Sequence, residues 1–192
     1  MKPIFIAEIK TQSPFAYKSE HPFVSLMQYA IQYGDWISVH TNALWGGDFD
    51  AISFVRKNTD KPILAKGIHG TNDDVNRAFD HGADYVLVVD RYPSSTVNTL
   101  TAERKSRILH EMDFQHVKGN IDFNPYWSGV KYVCNARNLS TGLPKPKSEL
   151  EDFLKLGVWT CQASGIRNSA QVNAQVNAFI VGEHLVEFCK QL

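Results

Sequence analysis

Cysteine is scarce. Cys134, Cys161 and Cys189 are the only three, far apart and without a Cys-x-x-Cys pair. That argues against a disulfide scaffold or a cysteine zinc site and suits a reducing cytoplasm, the compartment expected for this chain. Cys134 and Cys161 sit in apolar strand-like runs, where a small buried thiol is the ordinary reading. Excess charge is missing too, since 20 Lys+Arg balance 20 Asp+Glu. Nucleic acid and anionic membranes are held by a basic excess or stripe, so neither is an expected partner. Lys145-Pro146-Lys147 reads as a solvated loop. No apolar run approaches the ~20 residues of a membrane span, and the N-terminus lacks the hydrophobic region of a signal peptide. The histidines His40, His69 and His116 show no ligand spacing and read as polar loop or core residues, so neither a metal nor another cofactor is expected.

What the chain does have is a repeating order. Its 192 residues, 43% hydrophobic and 11% aromatic, suffice for one buried domain, expected to span 1–192. Apolar runs rich in Ile, Val and aromatics occur at residues 4–10, 36–41, 62–67, 85–90, 114–119, 132–137, 158–163 and 178–183. Several are too continuous for strands with one wet face, which predicts a parallel sheet covered on both sides. Helical spacing separates them: Leu26, Met27, Ala30 and Ile31 in 23–33; Ile52, Phe54 and Val55 after Asp48; Val75, Ala78 and Phe79 after a Thr71 start; Ile108, Leu109 and Met112 in 102–112. Residues 119–130 leave room only for a very short fifth helix, and 168–177 for a thin seventh. Eight such units describe a compact (β/α)8 TIM barrel. A doubly wound open sheet is the alternative, but it opens with a glycine-rich loop, and here the first loop reads Thr11-Gln12-Ser13-Pro14.

Charges stand where buried strands should have none. Ile4-Phe5-Ile6-Ala7-Glu8-Ile9-Lys10 ends on an acid and a base, and Pro62-Ile63-Leu64-Ala65-Lys66 ends on a lysine. Burying an unpaired ion is expensive, so these groups need partners or a ligand, and in a parallel barrel the strand exits are where active sites assemble. Placed on the barrel, Glu8, Lys10, Lys66, Asn135, Arg137 and Ser164 converge there. An ion-pair network closing the barrel top is the bland reading, and Arg137 then pairs with Glu8 or another rim carboxylate. Ser164-Gly165-Ile166 after strand seven and Val181-Gly182-Glu183 after strand eight stand where this fold commonly cradles phosphate. Tight turns are their plainer explanation. Glu183-His184 with Glu187 also reads as a helix start, and Phe123, Tyr126 and Trp127 as a lid or a partner contact.

The ordered set of motifs resembles the indole-3-glycerol phosphate synthase family: Ile6-Ala7-Glu8-Ile9-Lys10 with Ser13-Pro14, Ile37-Ser38-Val39 with Thr41, Trp45-Gly46-Gly47, Pro62 to Lys66, Gly82-Ala83-Asp84-Tyr85-Val86-Leu87, Asn135-Ala136-Arg137-Asn138-Leu139, Ser164-Gly165-Ile166 and Ala178 to Glu183. The resemblance implies a (β/α)8 lyase of tryptophan biosynthesis, which closes the indole ring of 1-(2-carboxyphenylamino)-1-deoxyribulose 5-phosphate with loss of carbon dioxide and water. It implies that Lys66 is the general acid at the substrate carbonyl, that Glu8 acts in proton transfer and positioning, and that Asn135 joins them. Lys10 matches a lysine engaging the substrate's phosphate or carboxylate. Ser13, Leu87, Arg137, Leu139, Ser164 and Glu183 match pocket positions, Gly165 and Gly182 the phosphate-binding backbone, and Trp45 an aromatic beside the anthranilate ring. A small phosphorylated substrate is thus the expected partner. Crowding by cations is expected to lower the pKa of Lys66.

Departures from that family raise the alternative of an impaired or repurposed barrel that binds a phosphorylated metabolite. With strand five at 114–119, the family's strand-five glutamate has no counterpart. Ala163 replaces a glutamate before Ser164, Gly67 and Ile68 replace an acid and a phenylalanine after Lys66, and His40 replaces an aliphatic residue. The family's N-terminal capping segment has no counterpart either, which leaves a role for a partner chain. Phosphoribosylanthranilate isomerase, which shares the fold, is disfavoured because it carries a cysteine at the end of strand one.

Overall fold

The computed structural model describes residues 2–89, 100–123 and 129–192. Eight parallel strands close into a ring in sequence order: β1 (Ile4–Ile9), β2 (Trp36–His40), β3 (Ile63–Lys66), β4 (Tyr85–Val89), β5 (Ile108–Glu111), β6 (Lys131–Asn135), β7 (Trp159–Ala163) and β8 (Ala178–Val181), which pairs back onto β1. Among the described residues the connections carry helices α1 (Phe23–Tyr33), α2 (Phe49–Arg56), α3 (Asn72–Asp80), α4 (Ala102–Ser106), α5 (Phe114–Phe123), α6 (Ser148–Lys155) and α7 (Leu185–Cys189). The chain is a (β/α)8 barrel, as its periodicity predicts. No helix among the described residues is long and apolar enough to cross a membrane.

Local chemistry starts the helices. Asp48 accepts from the Ala51 N–H, and Thr71 and Asp74 form a reciprocal capping box. Each such cap is worth about 1 kcal/mol. Only a short 3-10 turn, Ser169–Gln171, fills the β7–β8 connection, matching the thin seventh helix of the sequence reading.

One unit is displaced from expectation. Residues 114–119, read as strand five, lie in helix α5, and the strand is Ile108–Glu111, inside the stretch read as a helix. The very short fifth helix expected at 119–130 is replaced by the ten residues of α5. A four-residue strand offers too few positions to separate a period of 2 from one of 3.6. Pairing separates them: Val86 to Val89 meet Ile108 to Glu111, and Leu109 to Glu111 meet Lys131 to Val133, which closes the ring. Position 90, Tyr126 and Trp127 lie outside the described residues.

The barrel has two apolar layers. Inside the ring, Ile6, Leu64, Leu87, Leu109, Val133, Cys161, Ala163, Ala178 and Ile180 pack together. Outside it, Phe5, Ala7, Ile9, Ile37, Val39, Ile63 and Ala65 meet the helices through Leu26, Met27, Ile52, Val55 and Phe188. Truncating one such fully buried Leu or Ile to Ala costs about 2–5 kcal/mol. The same alternation positions the site, because strand side chains repeat every two residues. Two steps beyond Ile6, Ser38, Leu64, Leu109, Val133 and Ile180 come Glu8, His40, Lys66, Glu111, Asn135 and Gly182. The top inward layer is therefore mostly polar, with Val89 and Ala163 its apolar members, above a floor that is apolar apart from Ser38. The three cysteines are free and buried; burial pushes the Cys134 thiol up to about 12 and Cys161 still higher, so both stay protonated.

Candidate active site

Glu8 lies at the centre of the top layer, 4% exposed. Its Oε1 accepts from Lys66 Nζ at 2.8 Å and from His40 Nε2 at 2.8 Å. Burial pushes the Glu8 pKa up, but Lys66, His40 and Lys10 more than reverse this and hold the carboxyl well below the usual carboxylate range. Lys66 moves opposite to expectation. Burial pulls its pKa down, yet Glu8 and Glu111 outweigh burial and raise it, so the ammonium form persists at neutral pH. The expected depression rested on neighbouring cations alone, whereas a second carboxylate also stands near Lys66.

That carboxylate is Glu111, at the end of β5, and it corrects the expected absence of a strand-five acid. It is 7% exposed and faces the cleft. Asn135 Nδ2 donates to Glu111 Oε1 at 2.7 Å, while Asn135 Oδ1 accepts from the Arg137 N–H at 3.0 Å. Burial raises the Glu111 pKa beyond what Lys66 and Asn135 restore. Two carboxyls with opposite shifts beside one ammonium form an array that can hold, donate and accept protons. The signal for Glu111 was available: Leu109-His110-Glu111 repeats the inward apolar, outward, inward charged order of Ile6-Ala7-Glu8 and Leu64-Ala65-Lys66.

His40, read as a loop or core residue, belongs to this array. Because the ionised Glu8 can only accept, His40 Nε2 carries the proton, and its Nδ1 is buried without a hydrogen-bond partner. A second proton on Nδ1 would therefore be an unsatisfied buried donor. Burial lowers the His40 pKa, and Glu8 only partly restores it. The ring lies parallel to Trp45, with centroids 5.9 Å apart. His69 is structural, as expected: Nδ1–H donates to the Leu87 carbonyl at 2.6 Å and Nε2 bonds Thr41 Oγ1 at 2.9 Å. These bonds hold it at φ 44°, a left-handed conformation a histidine rarely adopts.

Above this layer opens a cleft walled by Lys10, Trp45, Leu87, Arg137, Leu139 and Ser164, with Phe15 and Ile68 adding apolar surface. Ser13 is not part of the wall. Its Oγ accepts from the Phe15 N–H and closes a turn that leaves Phe15 facing the cleft. On the β7–β8 side a smaller cavity is lined by Lys10, Arg137, Ser164, Gly165, Gly182 and Glu183. Ser164 at φ 69° and Gly165 at φ 73° turn the backbone there. A Cβ on Gly165 would meet nothing within 4 Å, whereas one on Gly182 would stand 1.8 Å from Glu8 Oε2. Gly182 is thus required by Glu8 itself. Glu183 pairs with Lys10 at 2.8 Å and with the two terminal guanidinium nitrogens of Arg137 at 3.0 and 3.3 Å. The rim-carboxylate reading of Arg137 therefore holds, and the Glu183 side chain offers an anion no donor. Lys145, read as solvated, pairs with Asp113 and Glu149. No group of three His, Cys, Asp or Glu among the described residues is arranged to hold a metal ion.

A profile of the family described as indole-3-glycerol phosphate synthase matches residues 1–190. The chain belongs to the indole-3-glycerol phosphate synthase family. Indole-3-glycerol phosphate synthase of Trichodesmium erythraeum is 29% identical over 208 aligned residues, covering 95% of this chain and 67% of that protein. The enzyme of the same name from Micrococcus luteus is 29% identical over 192, covering 94% and 72%. Among solved structures, 3-hexulose-6-phosphate synthase from Salmonella typhimurium superposes with TM-score 0.72 at 20% identity, covering 100% of this chain and 94% of that one. KGPDC from Streptococcus mutans gives 0.62 at 16%, covering 95% and 88%. At those identities the structural likeness speaks for the barrel alone. Lys66, Glu111 and Asn135 line one cleft, with Glu8 bonded to Lys66 beside it.

Proposed function

We propose that this barrel, as a single domain in the cytoplasm, closes the indole ring of 1-(2-carboxyphenylamino)-1-deoxyribulose 5-phosphate. The observation that carries the reading is the Lys66–Glu8 contact at 2.8 Å with Glu111 beside it, in a chain of this family. The Lys66 ammonium donates to the ketone oxygen while the ring carbon bearing the carboxylate forms a bond to the carbonyl carbon. Carbon dioxide then departs, and its bonding electrons restore the aromatic ring. A proton delivered to the new hydroxyl releases water, and a proton removed from the adjacent carbon completes the indole. Every step balances with proton transfers alone, so the sequence of steps calls for neither metal nor redox cofactor.

Glu111 is the group suited to the late transfers, since its raised pKa lets it hold a proton that Glu8 cannot. Glu8 keeps Lys66 charged and aimed. Trp45, Phe15 and Ile68 offer an apolar wall for the aromatic ring, and Lys10, Arg137 and the backbone from Ser164 to Gly165 offer the anion end. The test is indole fluorescence on mixing the purified protein with this substrate, with Lys66→Ala as control. Tight product binding without turnover in wild type would leave only a phosphate-binding barrel.

A further inference from the structure

Lys10 and Arg137 are the two cations of the anion end, yet Glu183 already engages both. Its Oε1 accepts from Lys10 Nζ at 2.8 Å and Arg137 NH1 at 3.0 Å, and its Oε2 from Arg137 NH2 at 3.3 Å. Three charge-assisted hydrogen bonds thus end on one carboxylate in the cavity that Ser164, Gly165 and Gly182 also line. An arriving anion must compete with Glu183 for these two cations. We propose that Glu183 is a specificity-determining residue, which selects a terminal group carrying two negative charges over one carrying a single charge. The proposal rests on the reading of this cavity as the anion site.

The charge count gives the reason. Two cations and one carboxylate leave the cluster at +1, and the Lys66–Glu8 pair that also lines the cavity adds no net charge. A monoanion that displaces Glu183 replaces one unit charge with another and gains nothing in total. A dianion brings one unit more and neutralises both cations. The displaced side chain has room to move: a neighbouring cavity of about 230 Å³ is also lined by Glu183, together with Lys18 and His21 and with the carboxylates Glu20 and Glu187. Glu183 is only part-buried, with 21% of its side chain exposed, so it can turn without opening the core. Its backbone stays in place, because Gly182 packs directly under Glu8.

Ethyl phosphate and ethyl sulfate test this at a fixed pH of about 8, where the phosphate monoester is a dianion (its second pKa is ~6) and the sulfate ester of similar shape is a monoanion. Titration calorimetry on wild type should give a preference for ethyl phosphate of about tenfold or more, the scale of one charge-assisted contact. Glu183→Gln should bind ethyl sulfate roughly tenfold more tightly than wild type does and shrink the preference to a few-fold. Glu183→Ala should move both in the same direction, with near-UV circular dichroism verifying the fold. If both variants bind the two esters as wild type does, or more weakly, while Arg137→Met abolishes binding, the selection idea fails and the anion site stands. If wild type binds neither ester, or binding ignores Arg137→Met, the site reading itself is wrong and the selection idea falls with it.

Discussion

Glu8→Gln removes one charge from the floor of the cleft and almost nothing else. In the native array Oε1 takes two hydrogen bonds of 2.8 Å, from Lys66 and His40, and the side chain is 5% exposed. Gln keeps one carbonyl acceptor but leaves the Lys66 ammonium, 13% exposed, with Glu111 as its remaining counter-charge. Breaking a buried pair from one side costs about 3–5 kcal/mol, because the surviving charge is uncompensated. The retained carbonyl and Glu111 place the variant at the lower end, about 3 kcal/mol. With a urea slope of roughly 2–3 kcal/mol per M, the unfolding midpoint should fall by about 1 M. The pH dependence has a definite sign. The folded Glu8 pKa is depressed below its ordinary 4.5, so its stabilisation is present above that value and is lost as pH falls through the folded pKa. The stability gap between wild type and variant should therefore be full at pH 7 and narrow only in acid. A midpoint unchanged at pH 7, or a gap that stays constant down to pH ~3.5, would refute the reasoning that Lys66 depends on Glu8.

Glu111→Gln should behave oppositely, losing turnover by about 10²–10⁴ while its urea midpoint holds or rises, because burial already disfavours the ionised form there; a midpoint loss matching that of Glu8→Gln would refute this. Gly182→Ala drives a methyl to 1.8 Å from Glu8 Oε2, so turnover should collapse and overpacking should cost about 1–3 kcal/mol, both measurable in one preparation. His40 should remain neutral with its proton on Nε2 in nitrogen-15 NMR spectra from pH 8 to below its ordinary 6.5, and its burial should cost the fold stability as pH falls below that value; an imidazolium signal at pH 6.5 would contradict the geometry.

Signals that act over a few residues were legible in the chain. Thr71 with Asp74, and Asp48 before its helix, are caps that work within one turn. The apolar runs around Ile6, Leu64, Leu87 and Ile180 read as covered strands, and their eightfold recurrence with helices between them, without a glycine-rich first loop, pointed to a ring. Even Glu8 and Lys66 declared themselves, because a charge on a buried strand has no local explanation. What tertiary structure alone decided was pairing. Ile108 to Glu111 is a strand because β4 and β6 require a partner between them, and that register turns Glu111 into the cleft. The same closure lays His40 beside Glu8, sets Lys66 between two carboxylates that together raise the pKa expected to fall, and sets Glu183 on Lys10 and Arg137. These contacts join residues 32 to 173 positions apart, and Coulomb energy depends on separation in space, which no local pattern of residues encodes.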